Sequence, residues 1–340
     1  MPALSLKKQL EARGFTADLI CLEDLYTDRD KVIEESKKSF HRDFRLAKLS
    51  YRIPTRNRQA VDPYAARDLK ERLSSDAYDA VITFSGFWAG FLNELAESDA
   101  RYEGRIYAVH MDASRSLSWK GAEHGCIRDI WMYELESSSV RCMLEPGDSK
   151  KGASSDDGTG TGRRILVHGG GWGIGDYSSK IKRLNEMGYP LDIVIYYPEE
   201  YAEADDVNEY YMLDPEWRPD VLREEYPRLL RRGAEGWVPC VADLRERNPL
   251  RELMKRDIAV LSKPGGGTLS DSLVTATPLI FAEELAYYER DNRVLWTGKG
   301  LGMDFDDFAA ADNSDEALCD MRQALQMIRE KLPCVIEELI

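Results

Sequence analysis

Twice in the second half of the chain, a short apolar run ends at a cluster of glycines and a helical pattern begins directly after them. The first case is residues 163–168 (RRILVH), followed by 169–175 (GGGWGIG) and a helical stretch over 177–188. The second is residues 257–262 (DIAVLS), followed by Lys263-Pro264-Gly265-Gly266-Gly267-Thr268 and another helix. Apolar runs without alternation suit strands buried on both faces, as in parallel sheets covered by helices. Further strands are expected at 191–197 (LDIVIYY) and 277–282 (TPLIFA), and a closing amphipathic helix over 314–330. Residues 198–226, acidic and aromatic, read as an excursion from the core.

The first half repeats the rhythm less clearly. Residues 4–13 carry apolar groups at helical spacing, with Gly14 placed to stop the helix. Strands are expected at 16–22 (TADLICL), 78–84 (YDAVITF) and 105–111 (RIYAVHM), with a helix over 88–97. A domain of this kind opens on a buried strand and a glycine turn. Here Met1-Pro2-Ala3 already stands inside the first helix, so the expectation is a domain lacking its first strand, with Met1 internal to a longer protein.

A length of 340 residues accommodates two domains of this class. Between them, residues 147–162 collapse to Gly, Ser, Asp, Thr and Lys, with no side chain able to build a core. The expected division is 1–147, a linker over 148–162, a second domain over 163–313 and a helical segment over 314–340. The fold class is therefore α/β, with two Rossmann-like domains facing one another across a cleft.

A net charge of −15 disfavours nucleic acid as a partner. Residues 37–72 break the trend with eleven Lys and Arg against four acids. Such a run is either a solvated helical face or a patch for an anionic acceptor or membrane surface. No run of eighteen apolar residues and no signal-peptide pattern is seen, so the chain reads as soluble and cytoplasmic. The six cysteines form no C-x-x-C pair and read as reduced thiols.

Chemistry concentrates in residues 262–271 (SKPGGGTLSD). Three glycines leave backbone amides uncovered and the helix dipole adds positive potential, so a diphosphate fits there. Asp271, on the first helical turn, is placed to accept from ribose hydroxyls. The same Thr268–Asp271 spacing also makes a capping box, which merely starts a helix. The turn at 169–175 could mark a dinucleotide fingerprint, but the second strand ends Ile195-Tyr196-Tyr197-Pro198 without an acid, which demotes NAD. His110 and Asp112 follow a strand at the sheet end where α/β folds place ligands. Asp112 is a candidate to deprotonate an acceptor or to steer His110; the alternative is a turn cap. His41 and His124 read as surface or packing residues. Asp205-Asp206 and residues 304–307 read as solvated charge, so no metal is expected.

Over residues 234–292 the chain resembles the donor domain of the GT-B glycosyltransferases, particularly the monogalactosyldiacylglycerol synthase and peptidoglycan GlcNAc-transferase group. The resemblance rests on Gly236-Trp237-Val238, the strand at 257–261, residues 262–271, Pro278-Leu279-Ile280 and Glu289-Arg290-Asp291-Asn292. It implies that the backbone at Trp237 and Val238 holds a nucleobase, most often uracil. It implies also that Asp271, where the family more usually has Glu, binds ribose. Gly265, Gly266, Gly267 and Thr268 would cradle phosphate, with Gly170, Gly171 and Gly173 approaching from the first turn. Glu289 and Asn292 would read sugar hydroxyls, though Tyr288 stands where relatives often carry Gln.

The implied activity is metal-independent, inverting transfer of a sugar from a nucleotide-sugar, a UDP-sugar above all, to a small-molecule hydroxyl. The nucleotide-sugar is a cosubstrate, and no further cofactor is expected. The base loop of these families would lie before Met1, which leaves His110 and Asp112 as the candidates. A lipid acceptor, a UDP-sugar epimerase and a non-catalytic nucleotide-sugar-binding partner of another transferase are the alternatives.

Overall fold

A computed structural model describes residues 2–25, 29–50, 62–76, 78–120, 125–143, 163–201, 207–217, 223–234, 236–311 and 314–339. The expected linker at 148–162, His124, Asp205 and Asp206 lie outside them.

The first half comprises α1 (Pro2–Ala12), α2 (Arg29–Arg42), α3 (Phe44–Ser50), α4 (Pro63–Asp76), β1 (Val81–Thr83), α5 (Ala89–Ser98), β2 (Ile106–His110) and β3 (Ile127–Trp131). The short hairpin β4 (Tyr133–Glu134) and β5 (Ser139–Val140) follows. Strands β1, β2 and β3 form a parallel sheet in that order. Alternation gives each face a different neighbour. Ile106, Ala108 and Ile127 pack under Leu69 and Leu73 of α4 and Leu92 and Leu95 of α5. Val109, Ile130 and Met132 point the other way, into the core of the second half.

The second half runs β6 (Ile165–Val167), α6 (Ser178–Glu186), β7 (Leu191–Ile195), β8 (Glu209–Leu213), β9 (Leu229–Gly233), β10 (Gly236–Pro239), α7 (Pro249–Arg256) and β11 (Ala259–Ser262). It continues with α8 (Gly266–Thr275), β12 (Leu279–Phe281), α9 (Tyr287–Gly298), β13 (Gly302–Asp304), α10 (Phe305–Ala310) and α11 (Ser314–Arg329). Its sheet has the order β10-β9-β8-β7-β6-β11-β12-β13, paired in parallel except where β9 runs antiparallel to both β8 and the edge strand β10. Every residue of β6 and β11 is buried, as strands covered on both faces require. The order reverses between β6 and β11, and the crevice beyond their carboxyl ends is where such sheets hold ligands.

Two elements differ from expectation. Residues 16–22 form no strand: Phe15 and Ile20 lie exposed, and Asp18 is tied to Arg72 at 3.0 Å and to Tyr78 by side chains alone. Extended backbone becomes a strand only with a ladder partner, and β1 pairs with β2 alone among the described residues. Conversely, the excursion at 198–226 contains β8, whose Tyr210, Tyr211 and Met212 are buried in register with β7. The acidic flank hid it: Glu209 is held by Arg231 at 3.0 Å, so its charge does not oppose burial of its neighbours.

The halves are joined beyond the facing rims. Helix α1 ends at Gly14 (φ +87°), and buries Leu4, Ser5, Leu6, Lys7 and Gln9. Leu6 joins the core of the second half, Ser5 meets Tyr226 at 3.3 Å and Lys7 pairs with Glu224 at 3.3 Å. Beyond α11 the chain returns to the first half, where the backbone at Cys334 pairs with that at Cys142, both thiols being free, and Arg141 meets Glu338 at 2.8 Å. No helix among the described residues is long and apolar enough to cross a membrane.

Candidate functional site

Both glycine turns open at the switch crevice. After β6, the Gly170 amide donates to His168 Nδ1 at 3.0 Å, which places the imidazole proton on Nε2. Burial pushes His168 down to about 4, so the ring is neutral. His168 is 2% exposed and Ser262 is equally enclosed, yet neither His168 Nε2 nor Ser262 Oγ has a hydrogen-bond partner among the described residues. The turn's carbonyls are taken: Tyr196 Oη donates to Gly170, and His41 Nδ1 donates to Gly173 at 2.8 Å while its Nε2 meets Glu200. Gly173 has φ +65°, and a Cβ there would lie 2.5 Å from His41 Nδ1. His41, expected at the surface or in packing, thus bridges the first half to this turn.

The turn after β11 is gripped from the other half by a carboxylate. A Cβ on Gly266 would stand 1.9 Å from the Met111 carbonyl oxygen, so only glycine permits the approach. Asp112 Oδ1 accepts from the Gly266 amide at 3.2 Å and from Asn292 Nδ2 at 2.8 Å. Asn292 also donates to the Pro264 carbonyl at 2.8 Å and accepts from the Ala113 amide at 2.7 Å. Lys263 pairs with the buried Glu289, whose second oxygen accepts from the Leu285 amide at 2.7 Å. Burial pushes the Asp112 carboxyl up to about 6; Glu289 adds to the rise, while Asn292, Lys263 and the Gly266 amide oppose it.

Gly170, Gly171, Gly173, Gly265, Gly266, Gly267, Thr268, Glu289 and Asn292 therefore belong to the two turns and the α9 segment that meets the second. Several stand in other roles than expected. Asn292 is fully buried; it donates to Asp112 of the first half and to Pro264 of its own half, and it accepts from Ala113, so its amide is engaged in organising the contact between the halves. Asp271 accepts from Arg251 Nε at 2.7 Å, and Arg251 reaches Ser5 of α1 at 3.5 Å. The ribose acceptor foreseen at Asp271 is thus already bonded. Trp237 and Val238 sit on the edge strand, five strands from β11. At about 4.8 Å per strand that is roughly 24 Å, beyond the span of one nucleotide. Trp237 packs edge-on to Tyr201 at 5.8 Å, and Val238 is 49% exposed.

His110 and Asp112 part company. His110 shares the face of Ile106 and Ala108, where it stacks on Trp131 at 4.1 Å and lies 4.6 Å from Trp119. Its Nε2 meets Asp129 Oδ1 at 2.8 Å, and Arg115 holds the other Asp129 oxygen at 3.1 Å. Asp112 does not steer it. In β3, Asp129 alternates onto the face of Ile127 and Trp131, a partly exposed carboxylate beside the buried His110. Lys263, Asp129, Arg251 and His168 were given no role by sequence reasoning.

Much of the basic charge in 37–72 is used within the chain. Lys48 pairs with Glu283, Arg42 with Glu199 at 3.8 Å, Arg72 with Asp18 at 3.0 Å and Arg67 with Asp68 at 3.3 Å. Arg52, Arg56 and Arg58 lie outside the described residues.

No protein-family model matches this chain. No curated protein matches it either. Among solved structures, the spinosyn rhamnosyltransferase SpnG is similar with a TM-score of 0.50 at 12% identity, over 99% of this chain and 95% of that one. The glycosyltransferase SnogD from Streptomyces nogalater follows at 0.49 and 13% identity, over 99% and 93%. MurG from Acinetobacter baumannii stands at 0.47 and 13%, over 97% and 94%. Identity this low speaks to backbone arrangement alone. The chain has the fold of the GT-B glycosyltransferases.

Proposed function

We propose that the protein transfers a sugar from a nucleoside-diphosphate sugar, a UDP-sugar by its sequence resemblance, to a hydroxyl of a small molecule. One observation carries the reading. The glycine-rich start of α8 opens at the switch crevice and faces the loop at 111–113 of the other half within hydrogen-bonding distance. A ligand with phosphate at that helix end therefore touches both halves, with its sugar toward Lys263 and the first turn. Backbone amides and the α8 dipole would stabilise the diphosphate as its bond to the sugar breaks. The displacement would invert the anomeric carbon, the acceptor attacking from the first half.

Asp112 stands on the donor side of this arrangement. For the acceptor side we assign the base to the His110–Asp129 pair. Asp129 fixes the imidazole proton on Nε2, which makes Nδ1 the basic nitrogen. His110 is only 1% exposed, while Asp129 is the member that solvent reaches. His110→Ala and Asp129→Asn should each lower turnover between about a hundredfold and ten-thousandfold. Nucleotide affinity should not move; an equal fall in affinity would place the pair in donor binding instead.

Calorimetric titration with UDP, dTDP, GDP and NAD tests the donor assignment. Binding of a pyrimidine nucleoside diphosphate without NAD is the expected result. A folded protein that binds none of them would sink the transferase reading. A second reading, a nucleotide-sugar-binding partner without turnover, is favoured by the engagement of Asn292, Glu289 and Asp271 in internal bonds. Binding without sugar release to any hydroxyl acceptor or to water would select it.

A further inference from the structure

The end of α8 that should receive a phosphate already holds an anion. Asp112 comes from the other half, its carboxylate accepts the first amide of the helix, and Asn292 braces the same oxygen. Only Oδ1 is used in these bonds. The Gly267 position is open, with nothing near its absent Cβ. The charged and titratable groups facing Asp112 are Lys263 from the β11–α8 turn, Glu289 and Tyr287 from α9, and Tyr133 from β4. Two carboxylates stand against one ammonium, so the helix end carries negative charge before any ligand arrives. A diphosphate adds a further negative charge on each phosphate, at close range and away from water, where like charges raise one another's proton affinity.

Resting on the donor-site reading above, we propose that Asp112 takes up a proton as a nucleoside-diphosphate sugar binds and then serves the leaving group as a neutral carboxylic acid. The phosphate replaces the carboxylate on the Gly266 amide, and the proton comes from solvent. Asp112 O–H then donates to a phosphate oxygen. In the transfer, the bond from the anomeric carbon to the phosphate oxygen breaks, and its electron pair stays on the diphosphate. The new bond forms to the acceptor oxygen, whose proton goes to the base of the first half. Asp112 is therefore the donor's partner, which leaves the acceptor base to the His110–Asp129 pair. Burial already raises the proton affinity of Asp112 in the unliganded protein.

The test is calorimetric titration of the full chain with UDP-glucose from about pH 5.5 to about pH 8.5, in two buffers of different ionisation enthalpy. Both phosphates of this probe are esterified, so the ligand itself exchanges no proton in that range. Wild type should take up close to one proton per ligand at the alkaline end, and its Kd should weaken up to about tenfold per pH unit there. Asp112→Asn should take up none, show a flat Kd and bind more tightly than wild type at about pH 8.5. Ligand binding to wild type with no proton uptake and a flat Kd overturns the proposal, without need of the variant. A variant with the wild-type slope also overturns it, and both results leave the donor site standing. If neither protein binds UDP-glucose or UDP, the donor reading falls and this inference falls with it.

Discussion

The two glycine turns look alike in sequence and are opposite in state. Each follows a buried parallel strand, each precedes a helix, and each is gripped by a residue of the first half. On the turn after β6 the grip is by donors: Tyr196 and His41 cover the carbonyls of Gly170 and Gly173. On the turn after β11 it is by an acceptor, with Asp112 on the Gly266 amide. The first turn thus meets the other half through its carbonyls, its Gly170 amide being bonded locally to His168, while the second meets it through its leading amide. A glycine cluster marks where backbone is exposed to partners. Which of its dipoles faces the ligand depends on what packs there.

The contrast can be attacked from either turn. Asp271→Ala, on the α8 side, should have the largest effect on stability, about 4 kcal/mol by denaturant titration. It strands the enclosed Arg251 guanidinium without its carboxylate. A loss of nucleotide binding in that variant would therefore say little about ribose unless its fold were shown intact. Gly266→Ala should cost about 3 kcal/mol, because the clash is with backbone at Met111 and the two halves must part to relieve it. If Gly266→Ala unfolds at the wild-type midpoint, the grip on the second turn is not a structural contact.

The first turn answers to pH. His168 has its folded value depressed from 6.5 to about 4, so its contribution is complete above the unfolded value and is lost as pH falls through that window. Relative to His168→Gln, wild type should lose about 3 kcal/mol between those limits. A constant difference between the two proteins would show that the ring is not held neutral. Gly173→Ala should cost least, about 2 kcal/mol, through the left-handed backbone and displacement of His41 and the Tyr196 ring. Because both neighbours are side chains rather than backbone, nucleotide binding should survive in that variant. If it is instead lost while Gly266→Ala retains it, the roles of the two turns are reversed.

The strands at 78–84, 105–111, 257–262 and 277–282 and the helices at 88–97 and 314–330 all exist, with ends shifted by a few residues. The strand expected at 16–22 failed, and β8 was hidden, because membership of a sheet is a property of the neighbour as much as of the segment. The site divides along the same line. Gly170, Gly173 and Gly266 are legible as glycines because a left-handed backbone or a close approach excludes other residues at those positions. The contacts of Asp112, Asn292, His110 and Asp271 are not legible in the sequence, since each is made with a partner on another element.

The sequence by itself determined an α/β chain with glycine turns after two buried strands, since strand burial and glycine's freedom are local consequences of residue type. Only the tertiary structure decided that the second turn is capped by a carboxylate 154 positions away and braced by an amide a further stretch along the chain. No spacing rule encodes that, because residues so far apart meet only through the packing of both halves on one core. Charge at the site is a sum over what packing brings together. The same glycines with a different residue at position 112 would present a different electrostatic face.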